Sequence, residues 1–87
     1  MNEADERFAA RLAEDLSRIL GTGIVIDDLT FAEDGQRARI RVLCLFDGRA
    51  ETLETEGETN LVAYNRMVKA AAELRLALAA RNMIAPI

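Results

Sequence analysis

The sequence predicts a single α+β domain with the element order α-β-β-β-α, in which a three-stranded antiparallel meander is packed by two helices on one face. Three observations support this class. Apolar residues first recur at helical spacing, two Asp-Gly pairs then separate three alternating stretches, and a long alanine-rich segment follows. Because 87 residues provide only one modest hydrophobic core, we expect residues 1–87 to form one small domain.

The first element is an amphipathic helix predicted over residues 4–20. Its apolar residues fall on one face, and they are Phe8, Leu12, Leu16, Ile19 and Leu20. Acidic residues at its start suit the positive end of the helix dipole, and Gly21 and Gly23 provide a left-handed stop. The helix therefore offers one apolar face to a core.

Three strands are predicted over residues 24–32, 37–46 and 49–56. The turn Asp47-Gly48 has the residues that a two-residue hairpin loop requires, because both central positions need positive φ. This turn fixes the register of the second hairpin and places Arg residues of one strand opposite Glu residues of the next.

The turn of the first hairpin is predicted at Asp34-Gly35. It places Val25 opposite Cys44 on the face that we expect to carry the core, with Ile24 and Ile26 on the other face. Asp27 fits poorly on the core face, so the sequence also predicts a β-bulge or a register change near Asp27-Asp28.

A long helix is predicted over residues 59–82, with Thr59 or Asn60 as its N-cap. Its main apolar stripe consists of Tyr64, Met67, Val68, Ala71, Leu74 and Leu78. At a length of ~35 Å the helix exceeds an eight-residue strand of ~27 Å, so we expect its end to overhang the sheet. Leu76 lies off the stripe, and the short tail 83–87 is also apolar.

The sheet face opposite the helices is the candidate site, because apolar surface that faces solvent usually marks an interface. The predicted apolar anchors are Ile24, Ile26, Leu43, Leu45 and Ala50. The predicted polar rim is formed by Arg39, Arg41, Glu54 and Glu56. Leu76 is a further interface candidate on the long helix. Two alternatives would cover this face without a partner: the tail 83–87 folds back over it, or the first helix crosses to it.

The residue types argue against catalysis. The chain has no histidine and a single cysteine, Cys44, which removes the commonest general base, the commonest zinc ligands and any intrachain disulfide. The adjacent acids at 27–28 and 33–34 are ordinary strand and turn residues. We therefore expect that the protein is not an enzyme and uses no metal or cofactor. Because residues 1–7 are polar and acidic and no 18 apolar residues occur in a row, we also expect a cytoplasmic protein.

The charge pattern suggests which partners are compatible. The net charge is −4, and 13 of the 15 acidic residues lie in residues 1–57. We expect a protein-interaction module that acts as a homodimer or as an inhibitor or adaptor that docks a protein partner, for example a phage-type inhibitor of a nucleic-acid enzyme such as an anti-CRISPR. The acids that would imitate phosphates are Glu33, Asp34, Glu51, Glu54, Glu56 and Glu58.

The alternative is a nucleic-acid-binding protein, and it rests on two resemblances. The element order resembles the double-stranded RNA-binding domain, although that family has lysines where this chain reads Gly57-Glu58-Thr59-Asn60. The order and the stretch from Leu61 to Met83 are similar to YbaB-type nucleoid proteins, which dimerise through their sheets and present helices. In this alternative the basic residues of the long helix would contact phosphates, and they are Arg66, Lys69, Arg75 and Arg81.

Overall fold

The computed structural model describes residues 3–81 and confirms the α-β-β-β-α order. The elements are α1 (Glu3–Leu20), β1 (Val25–Asp34), β2 (Arg37–Phe46), β3 (Arg49–Gly57) and α2 (Asn60–Ala80). The predicted tail 83–87 and the last residue of the predicted second helix lie outside the described residues.

The three strands form an antiparallel sheet in the order β1-β2-β3, with β2 in the centre. Every second residue of β2 is buried beneath the helices, and these residues are Ala38, Ile40, Val42, Cys44 and Phe46. We call this side of the sheet the inner face and the opposite side the outer face. Both helices pack on the inner face, so the alternative in which the first helix crosses to the other face is wrong.

The helices run in the same direction across the inner face. The ring of Phe8 near the start of α1 lies 5.5 Å from that of Tyr64 near the start of α2, and 4.7 Å from that of Phe31 in β1. Further along, Leu12, Leu16 and Leu20 of α1 are fully buried. Each such leucine contributes about 1.5–3 kcal/mol through its burial, so the α1 stripe is a main source of stability.

The end of α1 and the start of α2 are each capped by specific hydrogen bonds. At the end of α1, Gly21 has φ +72° and its amide donates to the Ser17 carbonyl at 3.0 Å. The Arg75 guanidinium donates to the Leu20 carbonyl at 3.0 Å and thereby joins α2 to the end of α1. At the start of α2, the Thr59 hydroxyl accepts from the Val62 amide, which confirms Thr59 as one of the two expected N-caps.

The second hairpin has the predicted register. Asp47 and Gly48 both have positive φ, at +50° and +72°. Because this turn leaves no residue unpaired, Phe46 faces Arg49 and the pairing continues without interruption to Ala38 and Gly57.

The first hairpin differs from the prediction in its turn. Asp34 pairs with Arg37, so the loop consists of Gly35 and Gln36 and not of Asp34 and Gly35. Gly35 has φ +65° and occupies the first central position, which is where a type II′ turn needs glycine. β1 consequently extends two residues beyond its predicted end at residue 32.

The expected β-bulge is confirmed, and it reverses the faces predicted for the start of β1. The register shifts between Ile26 and Asp28, so that Asp27 is left out of the pairing and stays exposed. On the N-terminal side of the bulge, Ile26 pairs with Cys44 on the inner face and Val25 pairs with Leu45 on the outer face. The predicted placement of Ile26 on the outer face and of Val25 on the inner face is therefore wrong.

The second helix is shorter than predicted at its start, because Thr59 caps it and the helix proper begins at Asn60. The 21 residues of α2 span ~32 Å, which is close to the ~33 Å of the ten-residue strand β2. α2 begins at Asn60, three residues after Gly57, which is buried at the end of β3. A Cβ at Gly57 would lie 2.8 Å from the Ala63 amide nitrogen, so only glycine fits this close approach of strand and helix.

Candidate functional site

The outer face is organised as rows of side chains that cross the three strands. The first row is Val25, Leu45 and Ala50, and the second is Asp28, Leu43 and Thr52. The third row is Thr30, Arg41 and Glu54, and the fourth is Ala32, Arg39 and Glu56. Apolar character is therefore concentrated at one end of the outer face and charge at the other.

The apolar end, which we call the apolar patch, consists of Val25, Leu43, Leu45 and Ala50. Val25 is 62% exposed and Leu45 is 37% exposed, while Leu43 is half-buried between its neighbours. Large aliphatic side chains this exposed at adjacent positions are unfavourable in water. Contact with another apolar surface would stabilise the patch by about 25 cal/mol for each Å² that it covers.

The charged end, which we call the charged ladder, consists of Arg37, Arg39, Arg41, Glu54 and Glu56. Glu56 forms ion pairs with two arginines, with N–O distances of 2.9 Å to Arg37 and 3.2 Å to Arg39. Arg41 pairs with Glu54 at 3.4 Å. The side chains of this ladder remain about half exposed, so they are ordered by their pairing and still accessible to a partner.

The structure brings seven of the ten predicted interface residues together on the outer face. They are Leu43, Leu45, Ala50, Arg39, Arg41, Glu54 and Glu56. Ile24 and Ile26 do not join them: Ile24 is only 7% exposed and Ile26 packs against the core. Leu76 lies apart on α2, where it is 59% exposed.

The exposure of two large apolar residues, Val25 and Leu61, was not predicted from the sequence. Val25 belongs to the apolar patch, and the signal that could have placed it there is the bulge at Asp27, which inverts every side chain before it. Leu61 in the first turn of α2 is 66% exposed. Leu61 and Leu76 are 15 residues apart and therefore lie within about 60° of each other around the helix. They are ~22 Å apart along α2, so they are two separate exposed leucines on one side of the helix.

Two of the four basic residues of the long helix, Arg66 and Arg75, donate hydrogen bonds within the molecule. Arg75 donates to the carbonyls of Leu20 and Thr22, at 3.0 and 3.3 Å. Arg66 donates to the Glu56 carbonyl at 2.7 Å. Lys69 and Arg81 are exposed and lie twelve residues, or ~18 Å, apart along the helix. This arrangement does not provide the continuous basic surface that phosphate binding favours.

The acids proposed to imitate phosphates are spread over the molecule. Glu54 and Glu56 face the arginines of the charged ladder. Glu51 pairs with Cys44, whereas Glu33 pairs with Ala38 at the far end of β2. These acids therefore do not form one strongly negative surface.

Cys44 is buried on the inner face and carries a free thiol. Burial raises the pKa of the Cys44 thiol, and the negative charge of Glu51 opposite raises this pKa further. A raised pKa keeps the sulfur protonated and poorly nucleophilic at neutral pH. The thiol is therefore suited to packing.

A cleft of about 520 Å³ lies where the last turn of α2 meets the second hairpin. Its lining is mixed in character and consists of Phe46, Arg49, Ala50, Glu51, Leu74, Ala77, Leu78 and Arg81. Sequence reasoning did not identify this cleft, because it depends on how α2 meets the end of the sheet. Within residues 3–81, no group of three or more Cys, Asp or Glu side chains is arranged to hold a metal ion.

Comparison of the chain with protein-family models, with curated proteins and with solved structures gave no match. In the part of the chain that the structure describes, neither helix combines the length and apolar character that a membrane span needs.

Proposed function

We propose that this protein is a non-catalytic protein-interaction module that docks a protein partner through the outer face of its sheet. The apolar patch is the observation that carries this proposal. It places Val25 and Leu45, both exposed, in one row, and the row of Leu43 connects that row to the charged ladder. Apolar surface and accessible paired charges on one face are a combination that protein contacts use.

The charge of the outer face favours a partner that is itself neither strongly basic nor strongly acidic. Three arginines and two glutamates of the charged ladder nearly cancel, and Asp28 and Asp34 of β1 lie on the same face. Action as an inhibitor or adaptor is compatible with this surface, with the apolar patch and not an acidic cluster as the anchor. We also propose a cytoplasmic location, supported by the absence of a cysteine pair that could form an intrachain disulfide.

The test compares variants of the apolar patch with variants of the exposed leucines of α2. L43E/L45E introduces charge into the apolar patch, and L61E/L76E makes the same change on α2 at sites of equal or greater exposure. Each protein carries a fluorophore at its N-terminus, and its sedimentation is measured both as pure protein and in an extract of the native cells. Circular dichroism melting checks that each variant is folded.

We expect the wild type and L61E/L76E to sediment as a complex in at least one of the two conditions, and L43E/L45E to sediment as the monomer in both. The proposal fails if L43E/L45E retains the complex, or if L61E/L76E alone loses it. It also fails if the wild type remains monomeric both in the extract and as pure protein at high concentration.

A further inference from the structure

Given the proposed docking function, we infer that the occupant of the outer face is a second copy of this chain, stacked face to face about a two-fold axis that runs parallel to the strands between β2 and β3. The argument rests on the cross-strand register. Rotation about such an axis preserves the position of each row along the strands, so each row of one copy lies over the same row of its partner.

The rows are complementary to themselves in this arrangement. β2 of one copy lies over β3 of the partner, so Leu45 lies over Ala50 and Leu43 over Thr52. In the charged rows, Arg41 lies over Glu54 and Arg39 over Glu56. Leu45 therefore meets an apolar residue, Leu43 meets a threonine and each arginine meets a glutamate, all with a single rotation. The strand β1, with Val25, lies outside the overlap. Face-to-face sheets favour such nearly aligned strands, at a spacing of about 10 Å.

Charge also selects against the neighbouring alignment. If the axis passed through β2, the arginines at 37, 39 and 41 would lie over their own copies. Like charges placed opposite each other oppose such a pairing. Moving the axis by half a strand spacing, ~2.4 Å, to lie between β2 and β3 replaces each arginine-arginine contact by an arginine-glutamate contact.

Pairing of the sheet edges is disfavoured by the same chemistry. The edge strand β3 carries Glu51, Glu54 and Glu56, and the edge strand β1 carries acids at 27, 28, 33 and 34. Two copies joined edge to edge would bring acidic strands together, and charged side chains on edges are a common defence against such pairing. The outer face is therefore the surface where the charges of two copies attract.

The expected dimer is weak and reversible. Two strands of nine to ten residues present a footprint of roughly 300 Å², which is well below the roughly 800 Å² per partner of a standard stable interface. The measurement must therefore reach protein concentrations of ~1 mM. Low ionic strength is needed as well, because salt screens the exposed charge pairs.

The experiment exchanges the charges of one strand at a time. R39E/R41E makes the charged rows acidic on both strands, and E54R/E56R makes them basic on both strands. The mass of each variant and of their equimolar mixture is measured by light scattering or sedimentation equilibrium over a dilution series. Wild type and L61E/L76E are measured in parallel, and thermal melting confirms that every variant is folded.

We expect the wild-type mass to rise with concentration from 9.6 kDa toward twice that value. Each charge variant alone should dimerise at least ~10-fold more weakly, and the mixture should restore dimerisation to the wild-type level or above, because both charge patterns are then complementary. A mixture that stays monomeric, or a charge variant that dimerises like the wild type, overturns the inferred arrangement.

The outcomes separate this inference from the proposed function. A wild type that is monomeric as pure protein at all concentrations overturns the second copy as occupant. If the same protein then forms a complex in cell extract that L43E/L45E abolishes, the docking function stands with a different partner. Loss of the dimer in L61E/L76E alone would transfer self-association to α2.

Discussion

Ile40 and Arg41 are neighbours in β2, yet their side chains lie in opposite environments. Ile40 is fully buried between the sheet and the helices, whereas Arg41 is exposed on the outer face and pairs with Glu54. The same contrast runs along the whole strand, because its even-numbered residues face the helix layer and its odd-numbered residues face away from it. The inner face thus accounts for stability, and the outer face is available for binding.

The largest expected effect comes from deleting a buried side chain of β2. I40A removes a side chain with no exposed surface and should lower the free energy of unfolding by about 2–5 kcal/mol. L45A truncates an aliphatic residue of the same strand that is 37% exposed and should cost under ~1 kcal/mol. Urea unfolding of dilute, monomeric protein measures both values. Equal costs would mean that the outer face is also part of the core.

An intermediate effect is expected from the contact that joins the helices over the inner face. R75A removes the donor to the carbonyls at the end of α1 and should cost about 1.5–3 kcal/mol, because a hydrogen bond from a charged group is lost at a partly buried site. K69A changes an exposed cation of the same helix and should leave stability within about 0.5 kcal/mol. If R75A were as mild as K69A in thermal melting, the cap would be unimportant for stability.

The smallest expected effect belongs to the charged ladder. A double-mutant cycle of R41A and E54A should give a coupling energy of about 0.2–1 kcal/mol in dilute protein, since both side chains are more than half exposed. Raising the salt concentration should reduce that energy. A coupling of several kcal/mol would show that the outer face stabilises the monomer, which would weaken its assignment as a surface kept for a partner.

The two hairpins differ in how far their sequences determine them. Asp47-Gly48 admits one tight turn, so every pair between β2 and β3 could be predicted, including both Arg-Glu rows. The sequence Asp34-Gly35-Gln36 admits two loops, and they give pairings of β1 with β2 that differ by two residues. A difference of two residues keeps each side chain on the same face of the sheet, so the predicted core does not depend on which loop forms.

The bulge had the larger consequence for the candidate site. A shift of one residue moves side chains to the opposite face, so one unpaired residue at Asp27 exchanged the roles predicted for Val25 and Ile26. The approximate place of the bulge could be predicted because Asp27 would otherwise enter the core. The prediction for the residues before the bulge nevertheless uses the β1–β2 register without the shift. The bulge does not affect the charged ladder or three of the five predicted apolar anchors, because these residues lie on β2 and β3.

The exposed leucines of α2 depend on tertiary contacts. The alanine-rich helix is apolar over most of its circumference, so its sequence does not mark which side meets the sheet. Leu76 could be recognised because it lies off the main stripe. Leu61 could not, since its position at the first turn resembles a core position until the direction of the helix is known.

The central claim is that the outer face is where this protein meets a second copy. The most direct test is a series of amide ¹H–¹⁵N spectra of the wild type from dilute solution to ~1 mM. We predict concentration-dependent shifts at Leu43, Leu45 and Ala50, with Leu61 and Leu76 unchanged. Shifts confined to α2, or spectra that do not change over the whole series, would contradict the claim.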